Sequence, residues 1–169
     1  MQQVEEAIRR YKTAHQISPQ FETLSLLMGT VYQENGRFSE ARKHFESELQ
    51  RQPASDRFRF ELARTLLMMQ EYDPAIEHLQ IVVRKTPDDE FLWQYLVFTL
   101  WELGRPEATD RVIREWEATH VGNTRLREFY NASQQGIVNF PSDVPESGRR
   151  VPSVPVIPGS RGDSMTGTP

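Results

Sequence analysis

The histidines and carboxylates are the side chains of this sequence that are suited to acid–base catalysis or metal binding, and their spacing fits neither. The histidines are scattered, and the chain has no His–Glu–x–x–His zinc pair, no Gly-rich phosphate loop and no Ca²⁺-loop pattern. Asp88, Asp89 and Glu90 are typical of a helix start, where they favour the positive end of the dipole. The absence of cysteine excludes disulfides and thiol chemistry. We therefore expect a non-catalytic protein that holds no metal and no cofactor.

The most informative side chains lie in residues 90–103, which read as a helix that is apolar on both sides. At about 100° per residue, one arc of this helix is a core face. The opposite arc carries Phe91, Gln94, Tyr95, Phe98 and Trp101. A helix that is apolar on all sides is normally buried on both faces. This leaves two interpretations. The second arc packs on a C-terminal helix, or its aromatic residues form an apolar groove that awaits a ligand.

Charge and hydropathy exclude two classes of partner. The chain has 20 basic and 24 acidic residues and a net charge of −4, which argues against a broad basic surface for nucleic acid. No apolar run approaches the roughly 18 residues that a membrane span needs. The polar start of the chain is unlike a secretion signal. We expect a cytoplasmic protein, with a periplasmic location as the alternative if an upstream signal has been removed.

Proline and glycine divide the 169 residues into two parts. Six of the 11 prolines and five of the nine glycines lie in residues 136–169. Such a stretch buries too little apolar surface to offset the entropy of ordering it, so we predict a disordered or extended C-terminal tail. Its apolar part, residues 151–158, favours polyproline II. This part is an inert linker, a peptide that docks on a partner, or one that folds back into the protein's own groove.

Residues 1–135 show helical periodicity throughout. The pattern predicts an all-α domain, with helices over 3–17, 21–34, 39–51, 55–69, 74–85, 89–103, 106–119 and 124–135. Apolar residues also recur every 34 positions. The recurring columns are Ala7, Ala41 and Ala75; Tyr11, Phe45, Leu79 and Ile113; Met28, Leu62 and Leu96; and Tyr32, Leu66 and Leu100. Gly29 and Ala63 are small where two helices must approach closely.

A 34-residue period with two helices per unit resembles the tetratricopeptide repeat. The first full unit carries the family pattern as Met28-Gly29, Tyr32, Phe38, Ala41, Phe45 and Pro53. The resemblance implies a right-handed α-solenoid of antiparallel helix pairs. We divide the helical domain, 1–135, into a half repeat (1–20), three full repeats (22–55, 56–89 and 90–123) and an extra helix (124–135). The third unit departs from the pattern at Val97, Thr109 and Val121, so we expect slightly looser pairing there. The lone first helix is either a natural cap or the result of a cut through a longer array.

The resemblance also implies that the first helix of each repeat lines a concave groove that binds a protein partner. The residues that this places on the groove are Leu26, Arg57, Phe60, Arg64, Leu67, Phe91, Gln94, Tyr95, Phe98 and Trp101. The two arginines are suited to a carboxylate or a backbone carbonyl.

Chaperone-binding members of the family grip a C-terminal carboxylate with a Lys–Asn–Asn–Lys–Arg set. This sequence has Leu26, Thr30, Glu61, Phe91 and Tyr95 at the matching positions, and none of them fits. We therefore expect the groove to take a helical or extended apolar segment of another protein.

The sequence predicts a non-catalytic scaffold, adaptor or assembly-factor subunit. Two alternatives remain open at this stage. The chain is a structural subunit of a large complex, or it is the regulatory repeat array of a larger enzyme. Fold alone does not decide between them.

Overall fold

The computed structural model of the chain describes residues 2–17, 22–138 and 140–150. Within these ranges the protein is all-helical, in agreement with the predicted fold class. The helices are α1 Gln2–Ile17, α2 Glu22–Glu34, α3 Phe38–Arg51, α4 Asp56–Met68, α5 Tyr72–Lys85, α6 Glu90–Glu102, α7 Pro106–Thr119 and α8 Arg125–Gln134. Each predicted helix is present, with ends within two residues of those predicted. In the part of the chain described here, no helix has the length and apolar character needed to cross a membrane.

The helices form a row in which each packs on the next along the chain. Two further contacts join alternate helices, α2 with α4 and α6 with α8. The helices α2, α4, α6 and α8 therefore share one face of the row, which we call the inner face. Because each pair contacts only its neighbours, the apolar faces are buried between successive pairs.

The 34-residue columns form the core. Phe45, Leu79 and Ile113 occupy equivalent places in successive repeats and are at most 1% exposed. A Cβ on Gly29 would collide with the Phe45 ring, so the close approach of α2 and α3 requires a residue without a side chain there. Thr109, which departs from the Ala column, is fully buried, and its hydroxyl donates to the Arg105 carbonyl at 3.0 Å.

The turns within the full repeats also recur every 34 residues. Gly36, Gln70 and Gly104 all have a positive φ, between 63° and 69°. The amide of each donates to the carbonyl three residues earlier at 2.9 Å. The next amide along the chain donates five residues back, as in the helix-ending motif that a left-handed residue permits. Gln70 occupies the place that glycine has in the other two turns, and the sequence pattern did not predict its positive φ.

Part of the predicted tail packs against the helical row. Residues 140–150 lie on the inner face and turn back on themselves at a short 3₁₀ turn, Glu146–Gly148, so that Ser142 and Arg149 both reach Glu102. We call this stretch the docked segment. Val144 of this segment is only 1% exposed. The remaining tail, including the apolar stretch 151–158, lies outside the described residues.

We predict that Gln70→Gly raises the free energy of unfolding by about 1 kcal/mol, because a non-glycine residue is strained in the left-handed region. The reverse change at the equivalent turn, Gly36→Gln, should lower stability by a similar amount. Urea denaturation followed by circular dichroism measures both. A loss of stability in Gln70→Gly would contradict the assigned turn.

Candidate functional site

The second arc of α6 is covered from two sides. The ring of Phe98 lies 6.4 Å from that of Phe129 on α8, between centroids, and 5.5 Å from that of Phe140 in the docked segment. Tyr95 and Phe98 are 3% and 8% exposed, whereas Phe91 is 47% exposed. The α8 interpretation therefore describes Phe98. The docked segment supplies a second cover from residues 140–150, whereas the sequence left docking in the protein's own groove open for residues 151–158.

The first contact region of the inner face is an aromatic pocket. The ring of Phe140 lies 5.2 Å from Phe129, 5.4 Å from Phe91, 5.5 Å from Phe98 and 6.2 Å from Tyr95, between centroids. Its contact with Phe129 is edge-to-face, which is a favourable geometry for aromatic pairs. Two helices, α6 and α8, thus hold one aromatic side chain of the segment.

The second contact region is a carboxylate site centred on Arg64 of α4. The Arg64 guanidinium donates to both oxygens of Asp143, from Nε at 2.7 Å and from a terminal nitrogen at 3.2 Å. The hydroxyl of Tyr95 donates to the same carboxylate. The side chains of Arg64 and Asp143 are 30% and 11% exposed, so the pair is largely shielded from solvent. Glu61, one turn before Arg64, also accepts from Arg64 at 3.0 Å.

Charge and burial set the protonation states in this region. Burial disfavours the charged form of Arg64, but the hydrogen bond to Asp143 and the charge of Glu61 outweigh it and raise the pKa of Arg64. Burial raises the pKa of the Tyr95 hydroxyl, and the Asp143 carboxylate raises it further. Tyr95 therefore stays protonated and acts as a donor, and Arg64 stays charged.

The third contact region surrounds Glu102 at the end of α6, which is 4% exposed. Ser142 donates its hydroxyl to the Glu102 carboxylate, and Arg149 pairs with it at 3.1 Å. The amide of Arg150 donates to the Glu102 carbonyl at 2.8 Å. Burial raises the pKa of Glu102, and the Ser142 and Arg149 contacts oppose that rise. The segment thus supplies a hydroxyl, a cation and an amide to one buried residue.

The remaining contacts fix the turn at the end of the segment. A Cβ on Gly148 would collide with the Tyr72 hydroxyl, so a larger residue would fit against α5 only if the Tyr72 side chain moved. A cleft of about 580 Å³ lies beside the segment, between residues 142–149 and the side chains of Gln33, Phe38, Met68 and Gln70. The inner face is therefore not filled completely at the N-terminal repeats.

The structure brings together only some of the ten sequence-predicted site residues. Arg64, Phe91, Tyr95 and Phe98 contact the docked segment. Two others support them. The ring of Phe60 packs edge-on against Tyr95 at 5.1 Å, and Trp101 lies 5.3 Å from Phe98.

The other four predicted residues lie apart from this contact. Leu67 is fully buried in the core, and Leu26 is half-buried against it. Arg57 is exposed, and Gln94 donates to Glu90 at 3.0 Å.

Sequence reasoning missed Glu102, Tyr72, Phe140 and Asp143. The sequence contains a signal for Glu102, because this carboxylate lies at the end of a helix that is otherwise apolar on both sides. Another was present in the tail, where Phe140 is the single aromatic of residues 136–169. In the described ranges, no group of three or more His, Asp or Glu side chains is placed to hold a metal ion.

We predict that Asp143→Asn loosens the docked segment, because the substitution removes the charge that Arg64 pairs with. Hydrogen bonds to a charged partner are stronger than neutral ones, so opening should become roughly tenfold more frequent. Hydrogen exchange of the Arg150 amide, which donates to Glu102, measures this opening. Glu146→Gln is the matched control, because it removes one charge from an exposed position of the same segment. Equal exchange in the two variants would contradict the assigned pair.

Comparison with known proteins bears on the helical part of the chain. The family model of the tetratricopeptide repeat matches residues 1–47 and 34–100, which is more than half of the sequence. No curated protein and no solved structure matches the chain. The matched region contains α1 to α5 and most of α6, with the 34-residue columns and the first two recurring turns. The chain belongs to the tetratricopeptide repeat family.

Proposed function

We propose that this protein is a non-catalytic interaction module whose inner face binds a segment of another protein. Tetratricopeptide repeats generally mediate protein–protein interaction or scaffolding, which supports the class of function. The observation that carries the proposal is the docked segment itself. Eleven residues of the chain lie on the inner face with an aromatic anchor, a carboxylate anchor and a buried valine. A face that accommodates one such segment has the shape and the donors to accommodate another.

The proposed binding residues divide by role. Arg64 and Tyr95 would bind a carboxylate, and Phe91 and Phe98 would enclose an aromatic side chain. Phe60 and Trp101 would hold these rings in place, and Leu67 would act from the core beneath them. Leu26, Arg57 and Gln94 would extend the surface beyond the docked segment. This set differs in character from an apolar groove, because the central contact is an ion pair that is shielded from solvent.

The proposal is tested by adding the segment as a separate peptide to a chain whose own segment is weakened. The full chain with Phe140→Ala and Asp143→Ala has lost both anchors of its own segment, so its inner face is more open. A fluorescent peptide that spans residues 139–150 should bind this opened variant in an anisotropy titration. It should bind the unmodified chain at least tenfold more weakly, because a tethered segment competes at an effective concentration near millimolar.

Two further arginine variants locate the bound peptide. Addition of Arg64→Ala to the opened variant should weaken binding at least tenfold, whereas Arg111→Ala removes an exposed arginine from α7, outside the proposed binding residues, and should leave it unchanged. Circular dichroism should report equal helicity in all variants. Failure of the peptide to bind the helical, opened variant would overturn the proposed function.

A further inference from the structure

Resting on the proposed function, we infer that the inner face selects partner segments that carry an aromatic residue followed three positions later by an aspartate. The docked segment has this pattern in Phe140 and Asp143 and competes with the partner for the same place. The partner is thus an acidic–aromatic peptide, and it binds by displacing residues 140–150.

The aromatic preference follows from the walls of the pocket. The rings of Phe91, Phe98 and Phe129 all lie 5.2–5.5 Å from the ring of Phe140, within the range for favourable aromatic pairs. An aliphatic side chain would fill less of this space and would lose the ring-to-ring contacts. Phe129 belongs to α8 and the other two to α6, so two helices define the pocket.

The acidic preference follows from two donors that need the same acceptor. The Tyr95 side chain is almost completely buried, and its hydroxyl donates to Asp143. Without a carboxylate here, Tyr95 would keep a buried donor without an acceptor, and Arg64 would keep only Glu61. A partner that displaces the segment must therefore supply a carboxylate at the same place.

The spacing follows from Tyr95, which contributes to both regions. Its ring lies beside Phe140, and its hydroxyl reaches Asp143. Phe60 packs edge-on against this ring and so fixes its position. Because this one side chain contacts both anchors, a partner must hold its aromatic ring and its carboxylate as close together as Phe140 and Asp143 do, which the same three-residue separation allows.

The Glu102 region adds a second charged contact. Asp143 lies at Arg64, and Arg149 lies six residues later at Glu102, which Ser142 also contacts. A partner that carries a cation six residues after its acid would reproduce both ion pairs.

Peptide display tests this inference. A random twelve-residue library is selected against the full chain that carries Phe140→Ala and Asp143→Ala. We expect the enriched peptides to carry an aromatic residue with Asp, or less often Glu, three positions later. Selection on the same variant with Arg64→Ala should keep the aromatic residue and lose the acid. Selection with Arg111→Ala, an exposed arginine of α7 outside the proposed binding residues, should keep both.

Competition is measured with an enriched peptide in solution. Its affinity for the unmodified chain should be at least tenfold lower than for the opened variant, because the docked segment must leave first. Unlabelled peptide of residues 139–150 should displace it from the opened variant, whereas the same peptide with Asp143→Asn should do so at least tenfold less well.

Three results would overturn the inference, and they are distinguishable from failure of the proposed function. Enriched peptides without the aromatic–acid pair that still depend on Arg64 would leave the proposed function standing and remove the selectivity. Binding of the 139–150 peptide with no enrichment from the library would assign the face to this chain's own segment. Concentration-dependent dimers of the unmodified chain in sedimentation would assign it to the segment of a second copy.

Discussion

The constraint on which this structure depends is that each helix pair buries its apolar face only against neighbouring pairs. Helix α6 is apolar on both sides, so one neighbour is not sufficient to cover it. Helices α5, α7 and α8 all pack on it. What α8 leaves uncovered is an aromatic surface that includes Phe91, and the docked segment places Phe140 there. The position of the segment is thus a consequence of the way the helical row ends.

Polar groups on the inner face make this cover selective. Arg64, Tyr95 and Glu102 are largely or fully buried, and each has a partner from residues 142–149. An apolar occupant would cover the rings and leave these groups unpaired, at a cost that exceeds the gain from a typical hydrogen bond. A tetratricopeptide repeat provides the scaffold, and these three side chains distinguish this face from a generally apolar one.

The sequence predicts the helices well because their signal is local and periodic. The columns through Phe45 and Met28 indicate the core, and Gly36 and Gly104 indicate two of the three recurring turns. The third turn is not predicted, because glutamine has no intrinsic preference for a positive φ. The position of Gln70 in the repeat imposes that φ. The position of the docked segment is not predicted for a different reason. Its proline and glycine content predicts a chain without a core of its own, and its side-chain hydrogen bonds to the helices reach residues 40 to 79 positions away.

Arg64 and Asp143 hold the segment through a direct interaction, and a double-mutant cycle measures that interaction. The opening free energy of residues 140–150 is obtained from native-state hydrogen exchange for the unmodified chain, Arg64→Ala, Asp143→Ala and the double variant. We expect a coupling energy of about 1–3 kcal/mol between the two positions, because they share a shielded ion pair. Additive effects, with a coupling energy near zero, would contradict it.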